Sequence, residues 1–152
     1  MDLKRNIGRI IALDVGTKTI GVAVSDPSQT LARLECTLAR KGLKADIPAI
    51  VALLDRHAAQ KVVVGLPLEL DGSEARSAQL ARQVGEALRT LGRTVVYVDE
   101  RFSSVEAQRQ LIESGMNRKR RQAVIDQAAA AVILQAYLDH GSNVAERTAD
   151  GS

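Results

Sequence analysis

Aromatic residues are almost missing from this chain: Tyr97, Phe102 and Tyr137 are the whole set, 2% of the composition. The core must therefore be built from Val, Ile, Leu and Ala, and few rings are left as stacking platforms for single-stranded bases. One cysteine, Cys36, excludes an internal disulfide and any multi-cysteine zinc site. In "ARLECTL" it reads as a small buried or half-buried side chain. No apolar run reaches the roughly 18 residues of a membrane span, and "MDLKRNIGRI" lacks the apolar centre of a signal peptide. The expectation is a cytoplasmic protein without a membrane partner. A G-x-x-x-x-G-K-[ST] phosphate loop is also absent. His57 and His140, near predicted helix ends, need no catalytic role.

What is present reads as one globular domain. At 152 residues, 45% hydrophobic and 26% charged, the chain can bury roughly two-thirds of its extended surface. It holds no repeat, low-complexity segment or linker. Gly8 to Asp14 and Ile20 to Ser25 read as strands joined by a tight turn, and Leu31 to Leu38 as a third, edge strand. A helix is expected from Asp46, with Pro48 in its first turn. "KVVVGLP" and "TVVYVDE" are short apolar strands of the doubly buried kind, with a helix ending before Gly92 between them. Ser103 and Glu106 form a capping box that opens a third helix, closed by Gly115. "GMNRKRRQ" reads as a basic loop, and Gln122 to His140 as an alanine-rich helix. The fold class is α/β: a mixed five-stranded sheet, its first three strands antiparallel, with helices on both faces. Residues 1–141 form the domain, and 142–152 a polar, frayed tail.

The net charge of +3 is unevenly spread. Between Arg101 and Arg121 six Lys/Arg stand against two acids, which is +4 and exceeds the whole. Such a patch attracts a polyanion, although a short basic run alone also suits a solubilising loop. Acids are placed just as unevenly. Asp14 closes the first strand in "IALDVGTKTIGVAVSD", and Asp99 and Glu100 close the last in "YVDER". Asp126 shares a helical face with Ala129, Ala130, Ile133 and Tyr137. It is either a carboxylate set on a buried stripe or an exposed acid favoured by the helix dipole. Carboxylates gathered at the carboxyl ends of strands would repel one another unless divalent cations neutralised them. Such hard oxygen ligands suit Mg²⁺ or Mn²⁺.

"IALDVGTKTIGVAVSD", "VVVGLPLELDGSE", "VDERFSSVEA" and "IDQAAAAVILQAYL", in this order, resemble the YqgF (RuvX) family of bacterial RNase H-like proteins. The four blocks span most of residues 8 to 140. The first alone also occurs in sugar-kinase and actin-like ATPases, which need two such domains around a nucleotide. The resemblance implies an RNase H-like fold and a metal-dependent nuclease that matures the 5′ end of 16S rRNA. It also implies an alternative, a Holliday junction resolvase, whose symmetric cutting would favour a homodimer. A third reading is a non-catalytic rRNA-binding assembly factor. Residue by residue, it implies Asp14, Glu100 and Asp126 as catalytic metal ligands for Mg²⁺ or Mn²⁺, with Asp99 the substitute for Glu100. Thr17 and Lys18 at the hairpin tip, Arg101, and the run Arg118, Lys119, Arg120 and Arg121 would contact nucleic acid. The chain departs from the usual RNase H pattern at its fourth strand. That strand ends "VVVGLP" without an acid, so Glu100 must come from the next one.

Overall fold

The computed structural model describes residues 8–68, 76–100 and 118–140, with backbone alone for 118–127. Five strands form one sheet: β1 (Arg9–Val15), β2 (Thr19–Ser25), β3 (Ala32–Ala39), β4 (Ala59–Leu66) and β5 (Val95–Asp99). Their spatial order is β3-β2-β1-β4-β5. The β1–β2 and β2–β3 pairs are antiparallel, and β1–β4 and β4–β5 are parallel. The expected mixed sheet and its β3 edge are therefore present. Helices α1 (Leu43–Arg56) and α2 (Arg76–Thr90) cover one face, and α3 (Arg118–His140) the other. The expected helix from Ser103 to Gly115 and the tail lie outside the described residues.

Alternation along the strands divides the side chains between two cores. Ile11, Leu13, Val15, Val62, Val64, Leu66, Val95 and Tyr97 pack toward α1 and α2. Ile10, Ala12, Ala23, Val63 and Val98 face α3, which answers with Ala129, Ala130, Ile133 and Leu134. Alanines on both sides let that helix lie close to the sheet.

Three details differ from the sequence reading. Helix α1 begins at Leu43, because Gly42, at φ +100°, turns the chain so that its carbonyl accepts from the N–H groups of Ala45 and Asp46. Pro48 consequently lies in the second turn. The carbonyl it leaves without an intrahelical donor belongs to Lys44, an exposed residue where water can serve instead. Arg118–Arg121 form the first turn of α3 rather than a loop. Arg and Lys are good helix formers, and no glycine or proline interrupts the chain from there to His140. Helix α2 ends as expected: Gly92 is left-handed at φ +86°, with Arg93 N–H bonded to the Leu88 carbonyl and Gly92 N–H to that of Arg89.

Candidate active site

Asp14 is half-buried near the end of the central strand. Because Leu13 and Val15 turn toward α1 and α2, alternation places Asp14 on the α3 face. Glycines flank it on both sides. Gly21 is its partner on β2, and the β1–β4 register, which runs to Leu13 with Val64, sets Gly65 next to it. Gly65 leaves a gap that another residue enters from β5. A Cβ at position 65 would stand 2.9 Å from Oε1 of Glu100 and 2.6 Å from Cδ1 of Ile133.

The same alternation separates Asp99 from Glu100. Val95 and Tyr97 belong to the α1/α2 core and Val98 to the α3 core, so Asp99 points away from Asp14, and Glu100 reaches the Asp14 face. Asp99 is buried, at 5% exposure. Asp14 and Glu100 thus lie on one face with the bare backbone of Gly65 between them, their strands about 10 Å apart at two strand spacings.

Helix α3 runs antiparallel to the central strands. Ile133 contacts position 65, and one turn on the hydroxyl of Tyr137 accepts from Lys61 Nζ at 2.9 Å, four residues earlier on β4. The start of α3 therefore points to the carboxyl edge of the sheet. Position 126 lies two turns before Ile133 on the same stripe, about 10 Å closer to that edge at 1.5 Å per residue. Arg118–Arg121 lie further along the same direction. The side chains of Asp126 and of the basic run, and all of Arg101, fall outside the described residues. Among the described residues, no three His, Cys, Asp or Glu side chains are grouped to hold a metal.

Thr17 and Lys18 are exposed at the β1–β2 tip. Gly16, just before them, is not left-handed. What it requires is closeness: its N–H donates to the Thr19 carbonyl at 2.8 Å, and a Cβ would stand 3.2 Å from that oxygen. The tip is braced from behind. Arg40 Nη1 donates to the Gly16 carbonyl at 3.3 Å and Nε to Asp46 at 3.3 Å. The other Asp46 oxygen accepts Lys41 N–H at 2.9 Å.

Other polar groups serve the fold. Asp26 accepts from the Ser28 hydroxyl at 2.7 Å and from the N–H groups of Thr30 and Leu31 at 2.8 and 3.1 Å. These bonds, led by that of Ser28, hold its carboxyl below the usual range. His57 is bound to Glu35 at 2.7 Å, and burial pushes the Cys36 thiol up, away from reactivity. Two features escaped the sequence reading. Gly65 carried a usable signal, since a glycine inside a buried strand marks a close approach. The Arg40–Asp46 brace carried none, because its partner Gly16 is 24 residues away from Arg40.

The profile of the RuvX family, described as "Holliday junction resolvase", matches residues 8–140. A Myxococcus xanthus protein named "Putative pre-16S rRNA nuclease" is 48% identical over 132 residues, covering 86% of this chain and 87% of its own. One of the same name from Caldanaerobacter subterraneus is 44% identical over 137 residues, or 89% and 99% of the two chains. Among solved structures, T. thermophilus RuvC in complex with a Holliday junction substrate superposes with a TM-score of 0.58. It covers 91% of this chain and 99% of that one at 16% identity, a likeness that speaks for the fold. With its sheet order, its profile match over nearly its whole length and relatives at such identity, the chain belongs to the RuvX family.

Proposed function

We propose that this protein is a divalent-metal-dependent nuclease that hydrolyses phosphodiester bonds in precursor 16S rRNA in the cytoplasm. The observation that carries the proposal is the pairing of Asp14 with Glu100 across the bare backbone of Gly65 at the carboxyl edge of the sheet. Open α/β sheets gather their sites at that edge. The substrate follows from the names of the relatives.

In this reading Asp14, Glu100 and Asp126 hold Mg²⁺ or Mn²⁺. The donor set fits: carboxylates on one face repel one another and are hard ligands, and the missing side chain at position 65 lets the Glu100 carboxylate lie over that strand on the Asp14 face. Two such ions supply water activation and stabilisation of the leaving oxygen. The chain's own residues hold and orient. Asp14 stands on the central strand, and Glu100 is seated against Gly65. Thr17 and Lys18 meet the backbone of the cut strand from the hairpin tip, while Arg101 and Arg118–Arg121 hold flanking phosphates, so binding weakens with salt.

A second reading, resolution of four-way DNA by a homodimer, is favoured by the family description and by the fold shared with RuvC. Cleavage of end-labelled 16S precursor RNA and of a four-way DNA junction, with Mn²⁺, Mg²⁺ or EDTA, separates the two. Metal-dependent RNA cutting is expected, lost in Asp14→Asn, Glu100→Gln and Asp126→Asn and kept in a folded Asp99→Asn. Junction cutting alone would move the assignment to the resolvase. Variants that cut like wild type would refute both and leave a scaffold that binds rRNA.

A further inference from the structure

We infer that Arg40 is a positioning residue of this nuclease, acting on Asp14 through the turn that follows it; the inference rests on the function proposed above. Arg40 lies just beyond the end of β3 and grips the β1–β2 hairpin at two points. Its backbone N–H donates to the Lys18 carbonyl at 2.9 Å, and its Nη1 to the Gly16 carbonyl at 3.3 Å. Gly16 is two residues after Asp14, and its N–H is already held by Thr19. Both polar groups of that glycine are therefore fixed. At this tip the side chains of Thr17 and Lys18 project into solvent.

The grip is anchored rather than loose. Arg40 and Asp46 form an ion pair at 3.3 Å with exposures of 10% and 4%. Asp46 is in turn held by Lys41 N–H and stands in the first turn of α1, where the helix dipole favours an acid. A buried ion pair is a weak source of stability, because desolvation consumes most of the attraction. What this one supplies is direction. A planar guanidinium serves the Asp46 carboxylate with Nε and the Gly16 carbonyl with Nη1 at a fixed angle, which a lysine ammonium cannot reproduce. The path from Asp46 through Arg40 to Gly16 thus ties the start of α1 to the turn behind the central acid. A misplacement of about 1 Å caused from outside the reacting groups can cost about 100-fold.

The test compares wild type with Arg40→Lys, with the double variant Arg40→Met/Asp46→Asn, and with Asp14→Asn. The double variant removes the guanidinium without stranding a buried carboxylate, and its Asn oxygen still accepts from Lys41. Each full-length protein is measured by metal-free thermal unfolding, by calorimetric titration with Mn²⁺, and by kcat and KM on 16S precursor RNA. Both Arg40 variants are expected to unfold within about 5 °C of wild type, to bind Mn²⁺ more weakly and turn over more slowly by up to about 100-fold, and to keep KM. If Arg40→Lys does not fold, the double variant decides. Wild-type Mn²⁺ affinity and kcat in the double variant overturn the inference, as does a loss confined to KM. Failure of wild type to bind Mn²⁺ and cut, or cutting by Asp14→Asn equal to wild type, would instead sink the nuclease reading itself.

Discussion

Replacing Gly65 by alanine probes the geometry of the site with one methyl group. The backbone at Gly65 is not left-handed, so alanine brings no strain and removes the entropic penalty of a strand glycine, a gain of about 0.5–1 kcal/mol. Against this, the new Cβ would stand 2.6 Å from Cδ1 and 3.4 Å from Cγ1 of Ile133, and 2.9 Å from Oε1 of Glu100. Ile133 is fully buried between α3 and the sheet, and overpacking of such a core costs about 1–3 kcal/mol. The net loss is about 0–2.5 kcal/mol, which at about 2–4 °C per kcal/mol for a chain of this size lowers the unfolding temperature by up to about 10 °C. Activity should suffer more. The Glu100 carboxylate must move to ordinary contact distance, and displacement of a reacting group by about 1 Å can cost about 100-fold. Thermal unfolding beside metal-dependent cleavage tests both effects, and adding Ile133→Val separates them. The double variant should recover stability without recovering rate. A Gly65→Ala protein that unfolds at or above the wild-type temperature and cuts as fast would refute the argument, because Glu100 could not then be seated against position 65.

Further outcomes follow from the same structure. Asp14→Asn should remain folded without metal, since the exchange keeps the size of the side chain. Added Mn²⁺ should stabilise wild type alone, by about 2.7 kcal/mol at a hundred times Kd, a difference read from paired melts. Arg120→Ala/Arg121→Ala should weaken binding to single-stranded RNA and lower the slope of log affinity against log salt by about 1.4, at about 0.7 per lost phosphate contact. Gly85→Ala in α2 should destabilise despite the better helix propensity of alanine, because its Cβ collides with the Tyr97 phenol, which donates to Glu86 at 2.6 Å; calorimetric unfolding at neutral pH checks this. Asp26 has a folded pKa below its ordinary 3.8. Its contribution to stability is therefore fully present above that value and lost as pH falls below it toward the folded pKa. Acid unfolding of Asp26→Asn should lack that segment of the pH dependence.

Several elements were legible because local chemistry and tertiary context agree. The first hairpin, the two apolar strands and the Gly92 helix stop each follow from period-2 burial or from a glycine cap, and they appear within a residue or two. The start of α3 differs from the expected basic loop because Arg and Lys propagate a helix well, so a run of charge does not by itself mark a loop. Helix α1 starts ahead of its apolar spacing because its start rests on the conformation of Gly42 and not on a capping side chain.

The candidate site divides in the same way. By itself the sequence determined the inventory: which acids close which strands, that Asp14 precedes a tight turn, and that position 126 shares a stripe with Ala130 and Ile133. Only the tertiary structure shows that Glu100 rather than Asp99 shares a face with Asp14, because the face a residue occupies depends on the pairing and alternation of β5 beside β4. It also shows Glu100 entering, from the end of β5, the space that Gly65 leaves open on the fourth strand. The grip of Arg40 on Gly16 was likewise settled only by folding, which brings together groups 24 residues apart. Periodicity and capping are local and can be read along the chain, whereas proximity across a sheet is created when the strands pair.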